Sequence, residues 1–78
     1  MKHARPDYDR IQDPANKIPE DEPVFLIRGQ DVTSARTLRY WAAINQEIGG
    51  DPQLIEQALD HADLMQKWIN KHGKIADL

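Results

Sequence analysis

The stretch IGGDPQLIEQALDHADLMQKWI, residues 48–69, decides the fold of this chain. Gly49-Gly50 ends one helix, because glycine readily adopts the left-handed conformation that closes a helix. Asp51 is a good N-cap, and Pro52 suits the first position of the helix that follows. The turn therefore predicts two helices joined by a tight connection.

The second helix has a heptad pattern. Its apolar residues are spaced three and four apart in alternation, which is the spacing of a helix that packs along one seam. They are Ile55, Ala58, Ala62, Met65 and Ile69. Gly73 follows the pattern and is expected to end the helix.

The first helix is indicated by apolar residues upstream of the turn. Leu38, Trp41, Ala42 and Ile48 recur at helical spacing. Asp31, Thr33 and Ser34 precede them and are all competent N-caps. The chain is therefore predicted to be all-α, a helical hairpin with helices at about 32–48 and 52–72.

Residues 1–22 differ in character from the rest. They hold three of the five prolines and show no helical or strand period, so we predict an extended N-terminal arm. The run Val24–Ile27 is β-branched and aromatic and is either a short strand or one apolar helical turn. No second strand-like run exists, so a strand here would have to pair with a copy of itself. We expect an extended or single-turn segment packed on the helices, which makes 23–78 the helical hairpin domain.

Composition excludes several classes of protein. The chain has 78 residues, enough for one small domain, and no Cys, which rules out disulfides and thiolate sites. Its longest unbroken apolar run, residues 40–44, has five residues, whereas a membrane helix needs about 20. The amino terminus lacks the apolar core of a secretory signal. We therefore expect a protein of the cytosol that does not contact a membrane.

The helices carry more apolar surface than a hairpin can bury. Each has apolar side chains on more than one flank, and one partner helix covers only one flank. Small domains without disulfides are usually supported by a metal, by very good helix packing or by self-association. We predict a homo-oligomer, a dimer or larger.

Catalytic and metal-binding patterns are missing from the sequence. There is no Cys nucleophile, no G-x-S-x-G, no phosphate-binding Walker loop and no H-E-x-x-H, and Ser34 is the only serine. Asp60, His61 and Asp63 lie close in sequence, but adjacent residues diverge by about 100° around a helix. We predict neither an enzyme nor a metal or cofactor site.

Three arginines near the start of the first helix form a candidate anion-binding site. Arg28, Arg36 and Arg39 lie within twelve positions around the start of the first helix, where free N–H groups and the helix dipole favour phosphate. The Thr33 hydroxyl adds a donor, and Tyr8 and Trp41 offer flat surfaces for a base. The alternative is that Arg36 and Arg39 solvate the outer face of the first helix and that Arg28 pairs with Asp31 or with an acid of residues 20–22. A long nucleic acid is not expected, because the sequence pI is about 5.5.

The stretch IPEDEPVFLIRGQD, residues 18–31, resembles a group of small phage and prophage proteins. The similar continuation is a helix with a central aromatic residue, a Gly-Asp turn and a second helix with His-Ala-x-x-Met-x-x-Trp, here residues 61–68. By size and style the chain also resembles short helical phage proteins that sequester nucleotide immune signals such as cyclic dinucleotides or ADP-ribose derivatives.

This resemblance implies a function and a set of site residues. The chain would be an anti-defence protein of the host cytosol that binds a small nucleotide without cleaving it. Arg28, Arg36 and Arg39 would hold phosphates, Gln30 and Asp31 would bond ribose or base edges, and Tyr8 or Trp41 would stack on the base. The alternative is a protein–protein interaction module with no small ligand.

Overall fold

A computed structural model of the chain describes residues 1–5 and 12–77. Its elements are, in chain order, the strands β1 (Lys2–His3) and β2 (Pro23–Val24) and the helices α1 (Ser34–Glu47) and α2 (Pro52–His72). The helices hold 14 and 21 residues. The prediction of two helices is thus confirmed, but the fold also contains a small strand pair that an all-α description omits.

Helix α2 has the predicted bounds because local signals determine both of its ends. The Asp51 carboxylate accepts hydrogen bonds from the backbone N–H of Gln53 at 2.9 Å and of Leu54 at 3.5 Å. Pro52 occupies the first turn, where its missing N–H costs nothing. At the other end, the Gly73 N–H donates to the Ile69 carbonyl at 2.8 Å.

Helix α1 is shorter than predicted, 34–47 instead of 32–48. Its N-cap, Thr33, makes no side-chain cap hydrogen bond, and its hydroxyl donates instead to the Asp31 carboxylate at 2.7 Å. The helix ends at Glu47. Gly49 then takes a positive φ of 78°, and the Gly50 N–H bonds the Asn45 carbonyl at 2.7 Å. The glycine pair therefore closes α1 in the way that the sequence indicates.

The strand pair corrects an expectation about Val24–Ile27. Strand β2 pairs in parallel with β1, Lys2 opposite Pro23 and His3 opposite Val24. The partner strand therefore comes from the start of the same chain, and no second copy is needed. Two-residue strands show no alternation of polar and apolar residues, which is why the sequence concealed the first one.

A local turn structures part of the predicted arm. The Asp13 carboxylate accepts from the N–H of Lys17 at 3.1 Å and of Ile18 at 2.9 Å. Asn16, which lies between Asp13 and Lys17, has a positive φ of 52°, a conformation that Asn tolerates better than most residues. The segment thus makes its own hydrogen bonds without a regular element.

The core between α1 and α2 is made of small side chains. The buried apolar residues of the described part are four alanines, Ala35, Ala42, Ala58 and Ala62. Alanines let the helices approach closely, but each buries little apolar area. The other members of the heptad pattern, Ile55, Met65 and Ile69, are only partly buried. Most of the large apolar side chains therefore lie outside the core.

Candidate functional site

The loop that joins β2 to α1 is held in place from several sides. The Asp31 N–H bonds the Arg28 carbonyl at 3.0 Å, and the Ser34 hydroxyl bonds the Gly29 carbonyl at 3.3 Å. A Cβ on Gly29 would meet side-chain atoms of Met65 at 3.7 Å and Trp68 at 3.9 Å. The loop therefore rests against α2, and the backbone at residues 28–31 has a defined position.

The segment after α2 closes the other side of this loop. The Lys74 N–H donates to the Gln30 carbonyl at 2.9 Å, and the Val32 N–H donates to the Lys74 carbonyl at 3.1 Å. Asp31 and Lys74 form an isolated parallel bridge. The carboxyl-terminal residues thus extend the small amount of strand-like structure and bring their side chains to the loop.

A cavity of about 240 Å³ lies where these segments meet. Its apolar lining consists of Phe25, Leu26, Ile27 and Ala76. Its polar lining consists of Gln30 and the charged residues Arg5, Arg28, Asp31, Lys74 and Asp77. Both ends of the chain and the loop before α1 therefore contribute to one depression.

Three cations and two carboxylates share this cavity. The Lys74 ammonium pairs with Asp77 at 3.2 Å on the exposed rim. Arg28 makes no side-chain hydrogen bond or ion pair with any residue that the structure describes. Its alternative role from the sequence, a salt bridge to Asp31 or to the acids of residues 20–22, is thus not seen among those residues. A planar guanidinium without such a partner suits a carboxylate or phosphate.

The start of α1 is already occupied by a carboxylate of the chain itself. Asp31 accepts from the Thr33 hydroxyl at 2.7 Å and from the Thr33 N–H at 2.8 Å. These hydrogen bonds, with the nearby charge of Arg36, lower the pKa of the Asp31 carboxyl against the opposing effect of its partial burial. Ser34 and Ala35, in the first turn, are each 1% exposed. The Asp31 carboxylate therefore compensates the positive end of the α1 dipole.

The structure brings some of the predicted site residues together and separates others. Arg28, Gln30 and Asp31 line the cavity. Four others lie outside its lining: Thr33, Arg36, Arg39 and Trp41. Tyr8 lies outside the described residues. Ligand binding by any of them stays a prediction.

Arg39 has a partner within the chain. Its guanidinium donates to the Asp63 carboxylate at 2.9 Å, which joins α1 to α2. Trp41 is 40% exposed on the helix surface. Arg39 therefore already has an acidic partner, while joint binding of one ligand by Arg36 and Arg39 stays a prediction.

Sequence reasoning missed the cavity residues that come from the two chain ends. Arg5 and Lys74 have no motif around them, and each lies more than twenty positions from Arg28. Gly73 was the one available signal, because a glycine after a long helix often redirects the chain. It marked the end of α2, but it did not indicate that Lys74 lies against the loop before α1.

Metal binding and membrane insertion find no support in the described residues. Within residues 1–5 and 12–77, no group of three or more His, Asp or Glu side chains is placed to hold a metal ion. Neither described helix is long and apolar enough to cross a membrane.

Comparison with known proteins gives no match: no family model, no curated protein and no solved structure matches this chain.

Proposed function

We propose that this chain binds a small nucleotide-type ligand in the cavity beside the loop 28–31 and holds it without cleaving it. The observation that carries the proposal is the position of Arg28 on the cavity wall, without an ion-pair partner among the described residues. Arg5 and Lys74 add positive charge on the same lining. A phosphate in the cavity would receive a forked, charge-assisted contact from the Arg28 guanidinium.

The remaining lining suits the rest of a nucleotide. Phe25 is 71% exposed, so its ring is free to stack on a base. The Gln30 amide offers a donor and an acceptor to a base edge or a ribose hydroxyl. The volume of about 240 Å³ is below the usual range of about 300–1,000 Å³ for ligand sites. It suits one phosphate–ribose unit better than a whole dinucleotide.

Sequestration explains how such a site would act without catalytic groups. In the proposed role, inferred from the resemblance to small phage proteins, the chain works in the host cytosol and lowers the free concentration of an immune signalling nucleotide. Binding alone is sufficient when the protein outnumbers the signal. Self-association of the chain, as a dimer or larger homo-oligomer, is part of this proposal.

A thermal-shift experiment tests the ligand. The purified chain is heated with mononucleotides, cyclic dinucleotides and ADP-ribose in turn. A ligand at 100 times its dissociation constant adds about 2.7 kcal/mol to the free energy of unfolding. Arg28→Gln is expected to abolish the shift. Lys67→Gln, the same loss of charge on the exposed surface of α2, is expected to keep it.

Two results would overturn this function. One is the absence of a shift with every nucleotide, and the other is a shift that Arg28→Gln leaves intact. Recovery of the ligand after heat denaturation, followed by chromatography, tests whether it was held without cleavage. A ligand recovered as products would replace sequestration with an enzymatic activity.

A protein–protein interaction module is the second candidate. It is favoured by the large apolar side chains that α1 and α2 expose, among them Ile48 at 74% and Leu64 at 59%. On this hypothesis the helices bind a host or phage protein and the cavity is incidental. The nucleotide panel separates the two candidates, because only the first expects a shift.

A further inference from the structure

Most of the large apolar side chains that the two helices expose lie on one face of the hairpin. On α1, Trp41 and Arg39 lie on opposite flanks of the buried Ala42, since each residue turns the helix by about 100°. On α2, His61 and Asp63 lie on opposite flanks of the buried Ala62 for the same reason.

The Arg39–Asp63 ion pair fixes which flanks adjoin. Because its two side chains meet at 2.9 Å, their flanks form one face of the hairpin. The opposite flanks, which carry Trp41 and His61, must then form the other face. Helical spacing adds further residues to this second face. We call the set the apolar face: Trp41 and Ile44 of α1, Ile48 directly after α1, and Leu54, His61, Leu64 and Trp68 of α2.

The apolar face has one ionisable residue, His61. Its six large apolar side chains are between 39% and 74% exposed. The four alanines of the core bury far less apolar area than these residues would. Fully burying one Leu or Ile side chain contributes about 1.5–3 kcal/mol. Covering this face would therefore contribute a large share of the folding free energy of so small a chain.

We propose that a second copy of this chain covers the apolar face, so that hairpins associate through it into a helical bundle. The proposal rests on the self-association included in the proposed function, and it does not depend on the nucleotide. Area supports it. The chain exposes 6,409 Å², whereas a folded monomer of 9.0 kDa exposes about 4,900 Å².

This excess is larger than the area that one stable interface needs. It is about 1,500 Å² for each chain, and a standard interface buries about 800 Å² on each partner. Part of the excess belongs to the exposed segment 12–22, and the apolar face supplies another part. One further hairpin placed on the face would therefore remove about half of the excess exposed area of each chain.

Two observations favour a copy of the chain over other occupants. The net charge of −3 opposes adsorption to an anionic membrane surface. The alanine core also buries little apolar area, so covering the face would add stability that the core of one chain does not supply. A copy of the chain is present whenever the chain is made, and obligate homodimers often have no stable folded monomer.

Sedimentation equilibrium of the full chain at micromolar concentration tests the proposal. We expect a mass of two chains or more. Leu64→Glu places a charge on the apolar face and is expected to reduce the mass to one chain or to unfold the protein. Leu59→Glu is the matched control on the same helix. Leu59 is 43% exposed, comparable to 59% for Leu64, but it lies on the flank that carries Asp63.

The melting temperature of the unmodified chain supplies a second measurement that needs no variant. It should rise with protein concentration, because association stabilises only the folded state. A single-chain mass with a concentration-independent melting temperature overturns the proposal and leaves the face to a different protein or a membrane. A mass that Leu64→Glu does not change, or that Leu59→Glu lowers equally, overturns the assignment of the face.

Failure of this proposal is distinguishable from failure of nucleotide binding. Arg28→Gln should remove the nucleotide-induced shift and leave the mass unchanged. Leu64→Glu should change the mass without altering any residue of the cavity lining.

Discussion

The Arg39 guanidinium donates a hydrogen bond to the Asp63 carboxylate at 2.9 Å, across 24 positions of sequence. It joins the middle of α1 to the middle of α2 on the face of the hairpin opposite the apolar face. We call this opposite face, which carries Arg39 and Asp63, the polar face. The two side chains are 42% and 69% exposed, so water competes for both charges. The contact shows which sides of α1 and α2 adjoin, and it contributes little to the stability of the hairpin.

We expect a small coupling free energy between Arg39 and Asp63. A double-mutant cycle of Arg39→Ala and Asp63→Ala in urea unfolding should give less than about 1 kcal/mol, and salt should reduce it further. Lys67→Ala with Asp63→Ala is the control, an i, i+4 pair of one helix that no observed contact joins. A coupling of several kcal/mol would mean that the pair is buried, for example in an assembly that covers the polar face.

Asp31 should make the stability of the fold depend on acid pH. The pKa of its carboxyl is lowered below 3.8 by the Thr33 hydroxyl and N–H and by Arg36. A lowered folded-state pKa contributes stability that is present above the unfolded pKa and lost as pH falls through the folded pKa. Asp31→Asn should therefore be less stable than the unmodified chain at pH 7, and the difference should shrink below pH 3.8.

Urea unfolding at several pH values measures this effect. Asp51→Asn at the start of α2 is the comparison, because the hydrogen bonds of that cap survive in the amide. A difference between Asp31→Asn and the unmodified chain that is constant from neutral to acid pH would contradict the role of the Asp31 charge.

The helices were predictable because their signals are local. Asp51, Pro52 and Gly73 act within a few residues of the ends of α2, and the heptad pattern needs only one partner helix. The β1–β2 pair was not predictable. Its strands have two residues each and lie about twenty positions apart, so neither pattern nor turn chemistry marks them.

The candidate site was predictable only in its loop. Arg28, Gln30 and Asp31 are adjacent in sequence and stay adjacent in space. The arginines of α1 were grouped with them because of sequence distance, but helix geometry carries Arg39 to Asp63. The Asp31 carboxylate also takes the position at the helix start that was assigned to a phosphate. Arg5 and Lys74 reach the cavity only through tertiary contacts.

Asp51→Ala should destabilise the hairpin by about 1 kcal/mol, because the first N–H groups of α2 lose their side-chain acceptor. Chemical denaturation followed by circular dichroism at 222 nm, the usual helix wavelength, measures the change. Asp60→Ala, an exposed residue inside α2, removes the same charge without a cap and should change stability little. Equal losses for the two variants would show that charge and not capping is responsible.

Gly73→Ala should detach the carboxyl-terminal segment from the loop 28–31. A methyl group at this position would lie 2.6 Å from the Ile69 carbonyl oxygen and 2.9 Å from the Ile69 Cγ2 atom, so the backbone must move. The Lys74 N–H and the Val32 N–H, which bond across this junction, should then lose protection from hydrogen exchange. Amides inside α2 should keep theirs.

The same variant links the fold to the proposed ligand. If Lys74 leaves the cavity, the nucleotide-induced thermal shift should fall even though Arg28 is intact. Lys71→Ala, an exposed change in the last turn of α2, is the control and should preserve both amide protection and the shift. Loss of protection at Lys74 with an undiminished shift would place the ligand away from the carboxyl-terminal segment. Retained protection in Gly73→Ala would show that the chain accommodates the methyl group without moving.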